Sequence, residues 1–247
     1  MSGVPRHIFD FQFDWGLHGL DKVGAISDAL IIVDVLSFAS AVDIAVSRGA
    51  IVYPYMWRDD SASEFAEKIG AKLAVSRKKV SKENPFSLSP MTYFQVREGD
   101  KIVLPSLNGS TLVVAASRLC SSIFIGCLRN AKAVAERASN LAETVSVIAA
   151  GERWKSGEET GVRFALEDLI GAGAILSYLK GGSFSPESRA AIAVFKVFEK
   201  NLEEILLDCE SGRELVDAGY RDDVVIASML NASNSAPRLI DGAIKKD

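Results

Sequence analysis

Short apolar runs alternate with segments of helical period along most of this chain. "ALIIVDVL", "AIVYPY", "KIVLPS", "SIFIGC" and "TVSVIAAG" are dominated by aliphatic side chains. Runs that are apolar throughout, rather than on alternate residues, suit strands buried on both faces of a sheet. Between them lie "SAVDIAVSRGA", "SASEFAEKIGA", "GSTLVVAASRLC" and "AKAVAERASN", whose apolar residues recur at helical spacing. Gly49 and Gly70 stand where a helix closes on a left-handed residue. Ser61 or Ser63 is placed to cap the second of these helices and Asn130 the fourth. After the last strand the chain turns helical. "ALEDLIGAGAILSYLKGG" comes first, then "SPESRAAIAVFKVFEKNLEEILLDC" with Pro186 in its first turn, then a short helix ending at Gly219. Asp222 and Asp223 introduce one more segment.

Strand and helix in alternation predict an α/β architecture of layered α/β/α character. No repeat, low-complexity tract or linker breaks the chain, so residues 1–247 are expected to form a single unit, with room for two closely packed lobes. Residues 76–90 are long enough to be a functional loop.

Composition acts mainly by exclusion. Charged residues at 24%, hydrophobic residues at 48% and a formal net charge of -4 are ordinary for a soluble globular chain. No nucleic-acid partner is expected, because the densest basic stretch, "SRKKVSK" around Lys78 and Lys79, reads as a solvated loop. No apolar run reaches the roughly eighteen residues of a membrane span, and "MSGVPRHIFDF" lacks a signal-peptide core. A cytoplasmic protein without a membrane partner is the expectation, and a homo-oligomer stays open. Cys120, Cys127 and Cys209 are too scattered for a disulfide framework or a zinc site. The only histidines, His7 and His18, lie in the N-terminal segment, which disfavours a Ser-His-Asp triad.

Candidate chemistry lies where strands end, the place at which open α/β sheets bind ligands. Asp34 follows the first apolar run, with Ser37 and Ser40 behind it. Asn108, Gly109, Ser110 and Thr111 follow "KIVLPSL", and Glu152 and Arg153 follow "VSVIAAG". Glu167 and Asp168 open the next helix, about 100° apart around its axis. One is therefore expected to face a site and the other to face solvent or meet an arginine. A glycine and two hydroxyl residues at a helix start can hold an anion, though they also suit a plain strand-to-helix turn. Asp34 can equally cap the next helix, and Glu167 and Asp168 can simply complement its dipole. The carboxylates suit a hard cation such as Mg²⁺, and Arg153 and Arg163 suit a forked grip on phosphate or sulfonate. The Walker A loop and the dinucleotide fingerprint are absent. With Leu36 at the second position after Asp34, the D-x-D of haloacid-dehalogenase phosphatases is absent too.

Ordered motifs spread over nearly the whole chain make it resemble the 2-phosphosulfolactate phosphatase family. They are "FDWGLHGL", "DVLSFASAVDIAVSRGA", "LPSLNGST", "GCLRNAKAVA", "AAGERW", "ALEDLIGAGAI", "SPES" and "SGRELVDAGYRDDV". The resemblance implies a mixed β-sheet folded on itself and surrounded by helices. It also implies an Mg²⁺-dependent acid phosphatase that hydrolyses (2R)-2-phospho-3-sulfolactate to 3-sulfolactate and phosphate, a step toward coenzyme M in methanogens. Carried onto this chain, Asp34 and Asp168 would hold Mg²⁺, and Glu152, Glu167 and Asp168 would serve catalysis. Asn108, Gly109, Ser110 and Thr111 would cradle the phosphoryl group of a small phosphorylated hydroxy acid, with Ser37 and Arg153 also among the substrate-binding residues. The chain departs from the family in carrying Ser37 where many members have an arginine ("DVLRATT"), and "SLSP" where many have "GNSP". Arg153 would then supply the missing charge. Asp223 matches a C-terminal motif, with a helix cap as its plain reading. The rival reading is a member of the same fold that binds small anions without turnover, or with another specificity.

Overall fold

The computed structural model describes residues 9–57, 59–153 and 161–247. His7 and Trp154, the last residue of "AAGERW", lie outside them. The strands are β1 (Phe11–Trp15), β2 (Ala29–Val33), β3 (Ile51–Tyr55), β4 (Lys72–Leu73), β5 (Lys101–Pro105), β6 (Ile123–Gly126), β7 (Val145–Ala149), the two-residue β8 (Glu152–Arg153) and β9 (Val162–Arg163), β10 (Pro237–Ile240) and β11 (Ala243–Lys246). The helices are α1 (Gly16–Val23), α2 (Phe38–Ser47), α3 (Asp60–Ile69), α4 (Gly109–Ala116), α5 (Ala131–Ser139), α6 (Leu166–Tyr178), α7 (Pro186–Phe198), α8 (Leu202–Asp208), α9 (Glu210–Asp217) and α10 (Arg221–Ala227).

Nine strands form one mixed sheet in the order β1-β7-β2-β6-β10-β11-β3-β5-β4. Two parallel blocks make it up. In the first, β2 lies between β7 and β6; in the second, β5 lies between β3 and β4. The C-terminal hairpin β10–β11 joins the blocks through antiparallel edges, Arg238 opposite Phe124 on one side and Ile244 opposite Val52 on the other. The central strands carry the continuous apolar runs. Every residue of β2, β6 and β7 is buried, as expected of strands covered on both faces. The ladder makes the blocks antiparallel, yet the chain just after β2 meets the chain just after β5 at a 2.9 Å hydrogen bond. The sheet must curl back on itself to bring those ends together.

Several local expectations are corrected. Asp59, not Ser61 or Ser63, caps α3, its carboxylate accepting the Ser61 amide. Asn130 precedes α5, but its side chain bonds the Cys127 amide and the Ile125 carbonyl instead of capping the helix. The long helix after Pro186 is two helices, α7 and α8. Glu199, Lys200 and Asn201 supply no apolar residue to continue the buried stripe, and Asn201 leaves the helical backbone conformation. Strand β1 and the hairpin β10–β11 belong to the sheet although neither has a long apolar run. Among the described residues, no helix is long and apolar enough to cross a membrane.

Candidate active site

Asp34 is the first residue past β2, and it is buried. Its carboxylate is not stranded. Oδ1 accepts the Phe38 amide at 3.2 Å where α2 begins, and Oδ2 accepts the Gly109 amide at 2.9 Å where α4 begins. Two helix N-termini, each the positive end of a helix dipole, thus meet one carboxylate and hold its charge at the edge of the core. The turn before α4 is shaped to this contact. A Cβ on Gly109 would stand 2.3 Å from the Phe38 ring and 2.8 Å from Asp34 Oδ2, so only glycine fits. The anion met by the Gly109 amide is therefore Asp34 itself. The hydroxyls of Ser110 and Thr111 turn back and donate to the carbonyls of Leu104 and Ser106. Asn108 reaches across to Glu152, donating from Nδ2 to Oε2 at 3.1 Å.

Asp168 ties two strand ends together. Its Oδ1 accepts the Val35 amide at 2.7 Å, and its Oδ2 accepts the Gly151 amide at 2.9 Å. Gly151 adopts φ +63, and a Cβ there would meet Val162 at 2.1 Å. Glu167 is buried beside Asp168, its carboxylate 3.5 Å from the Cys209 thiol that donates to it. The expected split, one acid inside and one facing solvent or an arginine, is corrected: both lie inside, because neighbouring helices and the sheet cover this turn of α6.

Concentrating carboxylates has a measurable consequence. Burial pushes the Glu152 carboxyl up to about 7, and the charges of Asp34 and Glu167 add to that push, against Arg163 and the Asn108 hydrogen bond. Burial also raises Asp168 well above the usual carboxylate range, with Glu167 and Asp34 adding to the effect.

A cavity of about 330 Å³ opens over this cluster. Asp34, Ser37, Asn108, Glu152 and Arg153 line it together, joined by Arg77. Gly109, Ser110, Thr111, Glu167 and Asp168 sit behind its wall. Arg153 is exposed and donates to the Leu107 carbonyl at 2.8 Å. Arg163 is buried and turned to Glu210 and Glu214. A larger neighbouring cavity, about 490 Å³, is lined by Arg77, Lys78, Lys79 and Tyr220 over an aliphatic floor and by none of the strand-end acids of the first cavity.

Two residues in this region carry roles the sequence reading did not assign. Arg77, inside the stretch taken as a solvated loop, turns inward. Its Nε donates to Asp223 at 3.1 Å and its Nη2 to Ser37 Oγ at 2.8 Å. Asp223 is not a helix cap but the buried partner of Arg77, and it also accepts the Ser89 hydroxyl. The one visible signal was the pairing of a lone arginine in residues 76–90 with an acid that had no assigned role.

The family model described as 2-phosphosulpholactate phosphatase matches residues 18–242. The chain is 29% identical to the 2-phosphosulfolactate phosphatase of Methanothermobacter thermautotrophicus over 89% of its own length and 90% of the relative's. It is 31% identical to a probable 2-phosphosulfolactate phosphatase of Carboxydothermus hydrogenoformans over 85% of each chain. Over 60% of its length it is 30% identical to the 2-phosphosulfolactate phosphatase of Methanocaldococcus jannaschii, of which 58% is covered.

Proposed function

The chain belongs to the 2-phosphosulfolactate phosphatase family, and from that premise we propose that it is a phosphoric monoester hydrolase that converts 2-phospho-3-sulfolactate to 3-sulfolactate and phosphate with the help of Mg²⁺. The observation that carries this reading is the shared cavity. Asp34 from the end of β2 and Glu152 from the end of β7 face one space with Asn108, Arg77 and Arg153. Carboxylates beside guanidinium groups suit a substrate that is both phosphorylated and otherwise anionic.

The donor set fits a hard divalent cation. It is made of oxygens, and while burial is the main cause that raises the Glu152 carboxyl, the charges of Asp34 and Glu167 add to it, a part that a cation would relieve. Among the described residues, no three His, Cys, Asp or Glu side chains already form a ligand cage. Mg²⁺ keeps much of its water and takes one or two carboxylates. Asp34 would hold it. Asp168 supports the same charge from behind and fixes the main chain at Val35 and Gly151. A bound Mg²⁺ supplies polarisation of a phosphoryl oxygen and neutralises the charge that builds there.

The chain's own groups divide the rest of the chemistry. A water oxygen forms a bond to phosphorus as the bridging bond to the C2 oxygen breaks. That oxygen leaves as the 3-sulfolactate alcohol once it has taken up a proton. Glu152, with its carboxyl near 7, is the group placed to exchange that proton or to orient the water, and Asn108 holds its position. Asn108 can also turn its amide toward a phosphoryl oxygen. The test is phosphate release from a panel of phosphorylated hydroxy acids, with and without Mg²⁺, in wild type and Asp34→Asn. Release that needs Mg²⁺ and is lost in Asp34→Asn supports the reading. No release from any member, with thermal stability unchanged by Mg²⁺ and phosphate, overturns it.

A further inference from the structure

We propose that Arg77 recognises the second anionic group of the substrate, the one carried beside the phosphoester, and that Asp223, Ser89, Ser37 and Tyr220 position it for that task. The proposal deepens the phosphatase reading and rests on it.

The guanidinium is fixed on most of its edges. Nε meets Asp223, Nη2 meets Ser37 Oγ and, at 3.4 Å, the Leu88 carbonyl, and the group lies over the Tyr220 ring at 5.2 Å. Asp223 is held in turn by the Ser89 hydroxyl and is almost wholly buried. The turn after β2, the far side of Arg77's own loop at Leu88, and the start of α10 at Tyr220 and Asp223 therefore orient one arginine. A purely structural tie between the loop and α10 needs only the Asp223 contact.

Two donors are left over. Among the described residues, Nη1 of Arg77 makes no hydrogen bond, and Ser37 accepts from Arg77 without donating its own hydroxyl proton. A guanidinium edge beside a hydroxyl makes a two-donor fork that matches a sulfonate or carboxylate. Arg77 also lines the cavity that holds Asp34 and Glu152, so the fork and the acids address the same space. Arg77 and Arg153 are the two basic residues among the described lining of that cavity. Arg153, exposed and joined to a carbonyl at the rim, is not held in a comparable way.

The test compares wild type with Arg77→Lys and the double variant Arg77→Gln/Asp223→Asn, which leaves no unpaired buried acid. With 2-phospho-3-sulfolactate, the double variant is expected to raise KM roughly tenfold or more while kcat stays within about threefold, and Arg77→Lys is expected to fall between it and wild type. Inhibition by inorganic phosphate, which has no second anionic group, is expected to be unchanged in both. Unaltered KM, or equal weakening toward substrate and inorganic phosphate, overturns the proposal. Calorimetric binding of 2-phospho-3-sulfolactate to metal-free protein separates this inference from the phosphatase reading. Binding that depends on Arg77 without phosphate release upholds the inference and removes the reading. Turnover with binding indifferent to Arg77 does the reverse, and the absence of both removes both.

Discussion

Asp34 shows how much of the site one residue can carry. Set in an apolar run, it first reads as an awkward acid; in the structure two helix N-termini converge on it. Asp34→Asn keeps the size and loses the charge, so it is expected to lower kcat by about two to three orders of magnitude, the scale of removing one electrostatic stabiliser. Steady-state phosphate release checks this. Gly109→Ala should fail differently. Its methyl group overlaps Phe38 and the Asp34 carboxylate, and the overpacking is expected to cost about 1–3 kcal/mol in denaturant unfolding. Glu152 supplies a pH signature. Its folded-state carboxyl lies near 7, above the ordinary 4.5, so the folded protein holds that proton more tightly than the unfolded chain does. The stabilisation is present below about 4.5 and is lost as pH rises through 7. The melting temperature of metal-free protein is thus expected to fall between pH 5.5 and 7.5, and Glu152→Gln to flatten part of that fall; identical slopes would contradict it. Asp34, Asn108 and Glu152 were legible because strand ends in α/β sheets are where sites form. Arg77 was not, because its inward turn depends on Asp223, 146 positions away.

Elements owe their placement to a few buried polar ties as much as to their apolar faces. Arg129, in the turn before α5, donates to Asp43 of α2 at 3.0 Å and to the Ile226 carbonyl of α10 at 3.1 Å. Both side chains of the pair are buried. Arg129→Met would leave Asp43 uncompensated, and about 3–5 kcal/mol of stability is expected to go, measurable by chemical denaturation. Since α10 also carries Asp223, a residual folded fraction should show a raised KM. Helices and central strands were legible from apolar period and continuous runs. The hairpin β10–β11 was not, because its strands, PRLI and AIKK, are only four residues each and interrupted by charged residues. The signal that could have found it is Asp241–Gly242, both at positive φ, the pair a tight hairpin turn favours.

At the scale of the molecule, that hairpin joins two parallel blocks of opposite direction into one sheet. Removing residues 237–247 is therefore expected to abolish cooperative unfolding rather than trim an edge; a truncated protein with an intact melting transition would contradict this. The curl of the sheet brings the end of β2 to the end of β5, which no local pattern encodes, so the strand-end rule could group Asp34 with Gly109 but not anticipate their direct hydrogen bond. The most direct test of the whole account is phosphate release from 2-phospho-3-sulfolactate by the purified protein, with Mg²⁺ and with chelator. Mg²⁺-dependent release that Asp34→Asn abolishes is the predicted result. Release that is indifferent to both Mg²⁺ and Asp34 would contradict it.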